Sequence, residues 1–289
     1  MIASVTDRSP HGLVVVSGPD ATSFLQSLIS QDLDAVAERA SAPSLLLAPQ
    51  GKLDALFRIT RVGDEWWLDT DADYGPRLAE SLTRYKIRVK AEIDDCTTSS
   101  GLLSIIGTSG LSSPLVSIPT VWGELQGTDL LGAASDVRQE LDALPAEVER
   151  WDPERFEAFR IEQGVPRMGV DLDDKTIPQE AFLDRDAVSF TKGCFLGQEL
   201  VARIDTRGHV NRYLRRVRVD GTDVPPSGAT VVVGDKDVGA VTSAALVPGE
   251  DRVVALAMVR REVGPPADVT VRWDGHEALG QVLASREQP

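Results

Sequence analysis

Apolar and polar positions alternate with two different periods along the first two thirds of the chain. Short apolar runs, and alternation over Ile87–Ile93, predict strands over Leu13–Ser17, Ser44–Ala48, Leu53–Arg61, Glu65–Thr70, Ile87–Ile93, Leu102–Ile106 and Leu115–Ile118. Helical spacing predicts helices after Asp20, over Asp73–Lys86, over Ser135–Leu144, and from a cap at Asp152 through Gln163 to Gly164. Because hairpins and helices are mixed, the pattern favours an α+β fold over a doubly wound sheet.

The pattern changes after about Asn211, where short β-type runs follow one another at regular spacing. These runs are Leu214–Val219, Thr230–Val233, Val238–Ser243, Val253–Val259, Val269–Trp273 and Leu279–Ala284. Turn sequences such as Pro248-Gly249 and Pro265-Pro266 separate them. This arrangement predicts a small barrel or sandwich. We therefore expect one domain over 1–206 and a second over 213–289.

Charge and length limit the classes of protein that the chain can belong to. The 289 residues carry 30 Lys and Arg against 45 Asp and Glu, a formal net charge of −15. Such an acidic surface argues against general attraction to phosphate, so we expect no direct DNA binding. No run of 18 apolar residues occurs, and residues 1–10 contain no apolar signal core. We expect a cytoplasmic protein that does not bind membranes.

Few residues in the chain suit metal binding or the familiar catalytic motifs. There are two cysteines, Cys96 and Cys194, and three histidines. The sequence contains no CxxC, HExxH, GxGxxG, GxxxxGK[ST] or GxSxG. We therefore expect no metal site, and the dinucleotide, P-loop and serine-hydrolase classes are weakened.

The most informative segment begins at Lys192 and reads Lys192-Gly193-Cys194-Phe195-Leu196-Gly197-Gln198-Glu199. A helix predicted from Gln198 places Cys194 just before its positive end and two residues from Lys192. Both features favour a thiolate, which makes Cys194 a candidate reactive thiol. The alternative is a small buried cysteine filling a glycine-lined gap. Cys96 follows Asp94-Asp95, whose negative charge disfavours its thiolate.

An arginine cluster and Glu162 can each be interpreted either as part of a ligand site or as solvated surface. Six arginines occur within sixteen residues: Arg203, Arg207, Arg212, Arg215, Arg216 and Arg218, with His209 among them. They suit an anionic ligand at the domain junction, or a solvated strand face with internal ion pairs. Glu162 lies in the last turn of a predicted helix, where the dipole disfavours a carboxylate. It either binds a ligand that donates hydrogen bonds or is simply hydrated.

These residues together resemble the YgfZ family, whose folate-binding members are related to the T-protein (aminomethyltransferase) of the glycine cleavage system. The resemblance rests on Arg160-x-Glu162-x-Gly164-x-Pro166, Gly169-x-Asp171, Pro178-x-Glu180 and the octet from Lys192. Clear motifs cover about residues 160–212, and weaker agreement covers the rest, including Pro49-Gln50-Gly51-Lys52.

The resemblance implies a fold, a cofactor and a role. The fold is a three-lobed T-protein-like cloverleaf with a C-terminal barrel, in which residues 1–206 form two interleaved α+β lobes. The cofactor is tetrahydrofolate or a one-carbon derivative. The partners are iron–sulfur client or assembly proteins, with effects on tRNA-modifying iron–sulfur enzymes.

The resemblance also implies roles for individual residues. Glu162 maps onto the T-protein glutamate that binds the pterin ring, and a carboxylate suits two parallel N–H donors. Cys194, with Lys192, becomes a functional thiol. Further residues expected at the folate site are Arg160, Gln198, Arg203 and Arg207.

One departure from the T-protein pattern concerns a paired aspartate that faces the reacting folate nitrogen. Here the stretch reads Gly51-Lys52-Leu53-Asp54-Ala55-Leu56, so one aspartate is replaced by Ala55. Losing a positioned carboxylate weakens acid–base catalysis. Three hypotheses remain: a folate-dependent accessory protein, a one-carbon transferase that uses Asp54, and an interaction module whose folate pocket is vestigial.

Overall fold

The computed structural model describes residues 4–108 and 113–284. Contacts divide the chain into two compact units, one containing residues up to 151 together with 183–203, the other containing 152–182 together with 204 onward. This division groups residues 152–182 with the C-terminal strands. The sequence prediction had placed them in the 1–206 domain. Within the described residues, no helix is long and apolar enough to cross a membrane.

Over its described residues up to 151, the first unit contains two five-stranded sheets and three α-helices. Its strands are β1 (Ser4–Asp7), β2 (Gly12–Ser17), β3 (Ser41–Leu47), β4 (Leu53–Val62), β5 (Glu65–Thr70), β6 (Glu92–Asp95), β7 (Ser100–Ile106), β8 (Val116–Trp122), β9 (Leu125–Ala133) and β10 (Glu149–Arg150). Its helices are α1 (Ala21–Leu28), α2 (Gly75–Tyr85) and α3 (Ala134–Ala143). In the described part of this unit the sheet orders are β10-β1-β7-β9-β8 and β3-β4-β5-β2-β6.

Helix α1 packs on the second sheet through the apolar face that its sequence predicts. Phe24, Leu25, Leu28 and Ile29 all belong to the main core cluster of this unit. Asp20 occupies the N-cap position, but its carboxylate accepts from the Lys90 backbone N–H (2.8 Å) rather than from the helix. The chain before β6 is thereby attached to the start of α1.

The strands of this unit differ from the prediction in two ways: one predicted strand begins late, and strands β1, β9 and β10 were not predicted. The strand expected over Ile87–Ile93 begins only at Glu92, because Arg88 has a left-handed φ of 57° that interrupts the extended backbone. Strand β9 was not predicted at all, since Gly127, Asp129 and Gly132 are poor strand formers. It forms because it pairs with β7 on one side and β8 on the other.

Helix α4 (Pro153–Gln163) opens the second unit where the sequence predicts it. The Asp152 side chain accepts from the Arg155 N–H at 2.7 Å, and Pro153 occupies the first turn. Gly164 ends the helix with a φ of 79°, a conformation that glycine adopts without strain. The local signals therefore fix both ends of the helix that carries Glu162.

Helix α5 (Gln198–Arg207) follows in the chain, and six strands of the second unit then close a barrel in the described residues. They are β11 (Arg212–Asp220), β12 (Thr230–Val233), β13 (Lys236–Leu246), β14 (Arg252–Arg260), β15 (Ala267–Trp273) and β16 (His276–Val282). The order is β11-β14-β13-β12-β15-β16, with β16 pairing back to β11. Valines and alanines fill the interior, and the predicted small barrel is confirmed.

Candidate functional site

Cys194 lies in the loop that precedes α5, and its thiol is exposed. Phe195, the next residue, is buried, and its backbone N–H donates to Gln198 Oε1 at 3.1 Å. A Cβ added to Gly193 would meet nothing within 4 Å, so no neighbour requires a glycine there. The alternative of a buried cysteine in a glycine-lined gap is therefore wrong.

Lys192 fastens this loop to the C-terminal end of α1. Its ammonium donates to the carbonyl oxygens of Ile29 (2.8 Å) and Gln31 (2.7 Å). Burial lowers the pKa of Lys192 to about 8, while Asp32 and Asp34 oppose that shift. The side chain is therefore still a cation at neutral pH, where its charge strengthens both bonds.

Two motif glycines meet where the Pro49–Lys52 turn contacts the loop before α5. Gly197 has a φ of +75°, and a Cβ there would lie 2.8 Å from Leu47 Cβ and 3.3 Å from Gly51 Cα. Gly51 has a φ of +78°, and its Cβ would lie 2.6 Å from Leu200 Cβ. Close packing therefore explains both glycines, but it does not explain Gly193 or Cys194.

Asp54 lies on β4, immediately before Ala55, which stands where the T-protein motif has an aspartate. Ala55 is 1% exposed and belongs to the apolar core cluster, so its neighbour Asp54 points to the opposite face of the strand. The Asp54 carboxylate accepts from Arg77 Nη2 at 3.3 Å. This carboxylate is partly accessible and carries an arginine partner.

A buried polar network on the same face of β4 joins the two sheets of the first unit. Arg58 donates to both oxygens of Asp69 (3.0 and 2.9 Å) and to Asp129 (2.8 Å). His11 Nε2 lies 3.0 Å from Asp69 Oδ1, and Ser104 donates to Asp129 at 2.7 Å. Burial alone raises the pKa of Asp69, but Arg58 and His11 outweigh it and lower the pKa to about 2.

Glu162 in the second unit has a protein partner for its carboxylate. Arg252 Nη2 donates to Glu162 Oε1 at 2.7 Å, and the same guanidinium is paired with Glu250. Arg216 Nη1 donates to the Glu162 backbone carbonyl at 3.0 Å. The Glu162 side chain keeps 33% of its exposure. The carboxylate is thus held from one side and open on the other.

Arg160 is among the most deeply buried large side chains of the chain, at 2% exposure. It donates to both oxygens of Glu157, to the Val165 carbonyl (3.0 Å) and to Asp171 (2.8 Å). Asp171 also accepts from Thr242 and Ser243 on β13, each at 2.6 Å. These bonds fix α4 against the barrel.

The arginines of the cluster differ in their exposure and in their contacts. Arg212 binds both oxygens of Glu180 (2.9 and 3.2 Å), and Arg216 donates to backbone carbonyls. Arg215 is buried beside the stacked rings of Phe182 and Tyr213. Arg203 and Arg207 are exposed one turn apart on α5. Internal pairing therefore accounts for most of the strand arginines, as one of the two interpretations expected.

Two residues that matter to this geometry were assigned no role from the sequence. Asp171 stood in a recognised motif, and its burial gives it the role of fixing Arg160. Arg252 lies 90 residues from Glu162 and belongs to no motif, so no local signal identified it.

Comparisons with known proteins agree with the motifs and with the fold. No family model matches the chain. A protein of Chaetomium globosum described as an iron–sulfur cluster assembly factor IBA57 homolog is 27% identical, covering 91% of this chain and 68% of its own length. The tRNA-modifying protein YgfZ of Shigella sonnei is 25% identical, covering 91% and 87%.

A solved structure extends the comparison to the architecture. The glycine cleavage system aminomethyltransferase T of Bartonella henselae superposes with a TM-score of 0.83 at 19% identity, covering 98% of this chain and 85% of that one. The predicted T-protein-like α+β fold with a C-terminal barrel is confirmed. The chain is therefore similar to the YgfZ and IBA57 proteins and has the fold of the glycine cleavage T-protein.

Proposed function

We propose that the chain is a tetrahydrofolate-binding accessory protein for assembly or repair of iron–sulfur proteins, acting in the cytoplasm. The clients we propose include tRNA-modifying iron–sulfur enzymes. The names of the relatives, an iron–sulfur cluster assembly factor and a tRNA-modifying protein, support this proposal.

The observation that carries the proposal is the exposure of Cys194 in an otherwise fixed loop. The neighbouring residues of the motif all make packing or hydrogen-bonding contacts that account for their identity: Lys192, Phe195, Gly197 and Gln198. Cys194 is exposed instead. An accessible thiol on a rigid loop is suited to contact a thiolate-bound cluster or its protein carrier, because cysteine thiolates are the usual ligands of such clusters.

Glu162 is the residue that we propose for the pterin ring. Its accessible carboxylate fits the 2-amino and N3–H donors of an aminopyrimidinone, which meet two acceptor oxygens side by side. Bound tetrahydrofolate supplies a carrier for a one-carbon unit. The chain's own contribution is to hold the heterocycle with a Glu162 carboxylate that Arg252 orients.

The remaining predicted residues take supporting roles in this proposal. Arg203 and Arg207 are exposed cations on one face of α5, and we propose them for the carboxylates of the glutamate tail. Arg160 positions the helix that carries Glu162. Gln198 holds the backbone beside Cys194.

Calorimetry with tetrahydrofolate tests the folate part of the proposal. Glu162→Ala should weaken binding by roughly 10- to 150-fold, the value of a hydrogen bond to a charged group. Glu277→Ala, which removes an exposed barrel glutamate paired with Arg272, is the matched control and should bind like the wild type. Equal affinity of the Glu162→Ala and wild-type proteins would remove Glu162 from the site.

A second candidate function, one-carbon transfer, rests on Asp54. Its carboxylate points away from the core and keeps partial access to solvent, as an acid–base group requires. If the chain is a transferase, Asp54→Ala should abolish release of the one-carbon unit from a folate substrate while tetrahydrofolate binding persists. If it is an accessory protein, the same variant should support iron–sulfur enzymes in cells as the wild type does.

A further inference from the structure

Glu162 lies in an electrostatically unfavourable place for a carboxylate. It is in the last turn of α4, where the exposed carbonyl groups carry partial negative charge. Within the described residues, the hydrogen bond that orients this carboxylate comes from outside α4. A ligand of Glu162 therefore depends on a second element to hold the carboxylate in place.

Two neighbouring barrel strands provide that element. Arg252, the first residue of β14, donates from Nη2 to Glu162 Oε1 at 2.7 Å. The same guanidinium also donates from Nε and Nη2 to the carboxylate of Glu250. Glu250 therefore fixes the position of the Arg252 side chain. On the paired strand β11, Arg216 donates to the Glu162 carbonyl (3.0 Å) and to the Ala284 carbonyl (2.7 Å).

These bonds leave a defined part of the carboxylate for a ligand. In the part of the chain that the structure describes, the hydrogen bond to Glu162's side chain is made through Oε1, and Oε2 has no partner. A carboxylate oxygen has two acceptor sites, so Oε1 also retains one. Two acceptors therefore remain side by side, next to a guanidinium that Glu162 shares with Glu250.

We propose that Arg252, held by Glu250, is the positioning residue that makes Glu162 selective for a neutral heterocycle with two adjacent N–H donors over a cationic one. The inference rests on the proposed function, in which Glu162 binds the pterin ring. A protonated ligand gains from an isolated carboxylate but is repelled by the guanidinium beside it. A neutral 2-aminopyrimidinone gains the two hydrogen bonds without that repulsion.

The test compares two ligands of the same shape and different charge. 6-Hydroxymethylpterin presents the neutral edge, whereas 2,4-diamino-6-hydroxymethylpteridine takes up a proton readily when it meets a carboxylate. Arg252→Met should shift the ratio of their affinities towards the diamino compound by about tenfold or more, and should weaken tetrahydrofolate by about tenfold. Arg252→Lys, which keeps the charge but loses the planar fork, should keep the wild-type ratio with intermediate affinity.

Control variants separate this inference from the function on which it rests. Arg272→Met removes an exposed barrel arginine paired with Glu277 and should change neither the affinities nor their ratio. If the protein does not bind tetrahydrofolate at all, the proposed function fails, and if Glu162→Gln leaves tetrahydrofolate binding unchanged, Glu162 is removed from the site. If Glu162→Gln weakens binding but Arg252→Met keeps the wild-type ratio, only the role of Arg252 is overturned. Should Arg252→Met not fold, the neutral variant Arg252→Gln takes its place with the same expected shift.

Discussion

Gly51 and Gly197 meet at a contact that leaves no room for a side chain on either residue. Both have positive φ, and a Cβ on Gly197 would lie 3.3 Å from Gly51 Cα, while one on Gly51 would lie 2.9 Å from the Gly197 carbonyl oxygen. The two residues come from the Pro49–Lys52 turn and from the octet that contains Cys194. Two motifs separated by more than a hundred residues thus depend on each other through packing.

Gly197→Ala should therefore destabilise the protein by about 2–4 kcal/mol, because left-handed strain adds to the clash with Leu47 and Gly51. Urea unfolding measures the change. Gly63→Ala is the matched control, since Gly63 also has a positive φ of 60° but open space around it. It should cost about 1 kcal/mol, the strain alone. Equal losses in the two variants would show that the glycine contact contributes nothing.

Lys192→Met should lower the free energy of unfolding by about 1–2 kcal/mol, because the carbonyls of Ile29 and Gln31 lose a charged donor. Lys192→Arg, which keeps a cation, should lose less. Lys86→Met at an exposed lysine of the same unit is the control and should be close to neutral. A Lys192→Met protein as stable as this control would contradict the anchoring role.

The Asp69 network predicts a stability loss in acid. The Arg58 guanidinium and His11 lower the pKa of Asp69 from its ordinary value of 3.8 to about 2 in the folded protein. Because the folded pKa is depressed, its contribution is fully present above about pH 4 and is lost as pH falls through about 2. Asp69→Asn should be about 3 kcal/mol less stable at pH 7, since Arg58 loses its buried partner. Urea midpoints of the two proteins should converge between pH 4 and pH 2, and a constant difference would contradict the assignment.

Alkylation should distinguish the two cysteines. Burial, followed by Asp94, Asp95 and Glu65, raises the pKa of the Cys96 thiol, and its side chain is only partly accessible. Cys194 is exposed. Iodoacetamide at neutral pH should therefore label Cys194 first, as followed by mass spectrometry of timed samples. Faster labelling of Cys96 would contradict the assignment of Cys194 as the accessible thiol.

The elements that the sequence predicts correctly are defined by local sequence signals. The elements and contacts that it misses depend on residues far apart in the chain. Asp152, Pro153 and Gly164 define helix α4 within a dozen residues, and regular turns define the barrel strands. Strand β9 contains two glycines and an aspartate, and forms because of its neighbours on both sides. His11 and Asp69 are 58 residues apart, and Glu162 and Arg252 are 90 apart, so neither pair leaves a local pattern.

The candidate site follows the same rule. The octet from Lys192 identified Cys194 as a candidate, but its spacing left open whether the thiol is buried or exposed. That question depends on the contacts of Gly197 with Gly51 and of Lys192 with α1, which fix the loop and leave the thiol accessible. Similarly, the helix-end position of Glu162 indicated a partner, and the partner came from a distant strand.

The central claim, that Cys194 is the functional thiol of an iron–sulfur accessory protein, is tested most directly in cells that lack the native protein. Cys194→Ser and Cys96→Ser variants are expressed at equal levels, and the modification of tRNA by an iron–sulfur enzyme is measured. Cys194→Ser should retain the fold, since its side chain is exposed, yet fail to restore modification, whereas Cys96→Ser should restore it. Full restoration by Cys194→Ser would contradict the account.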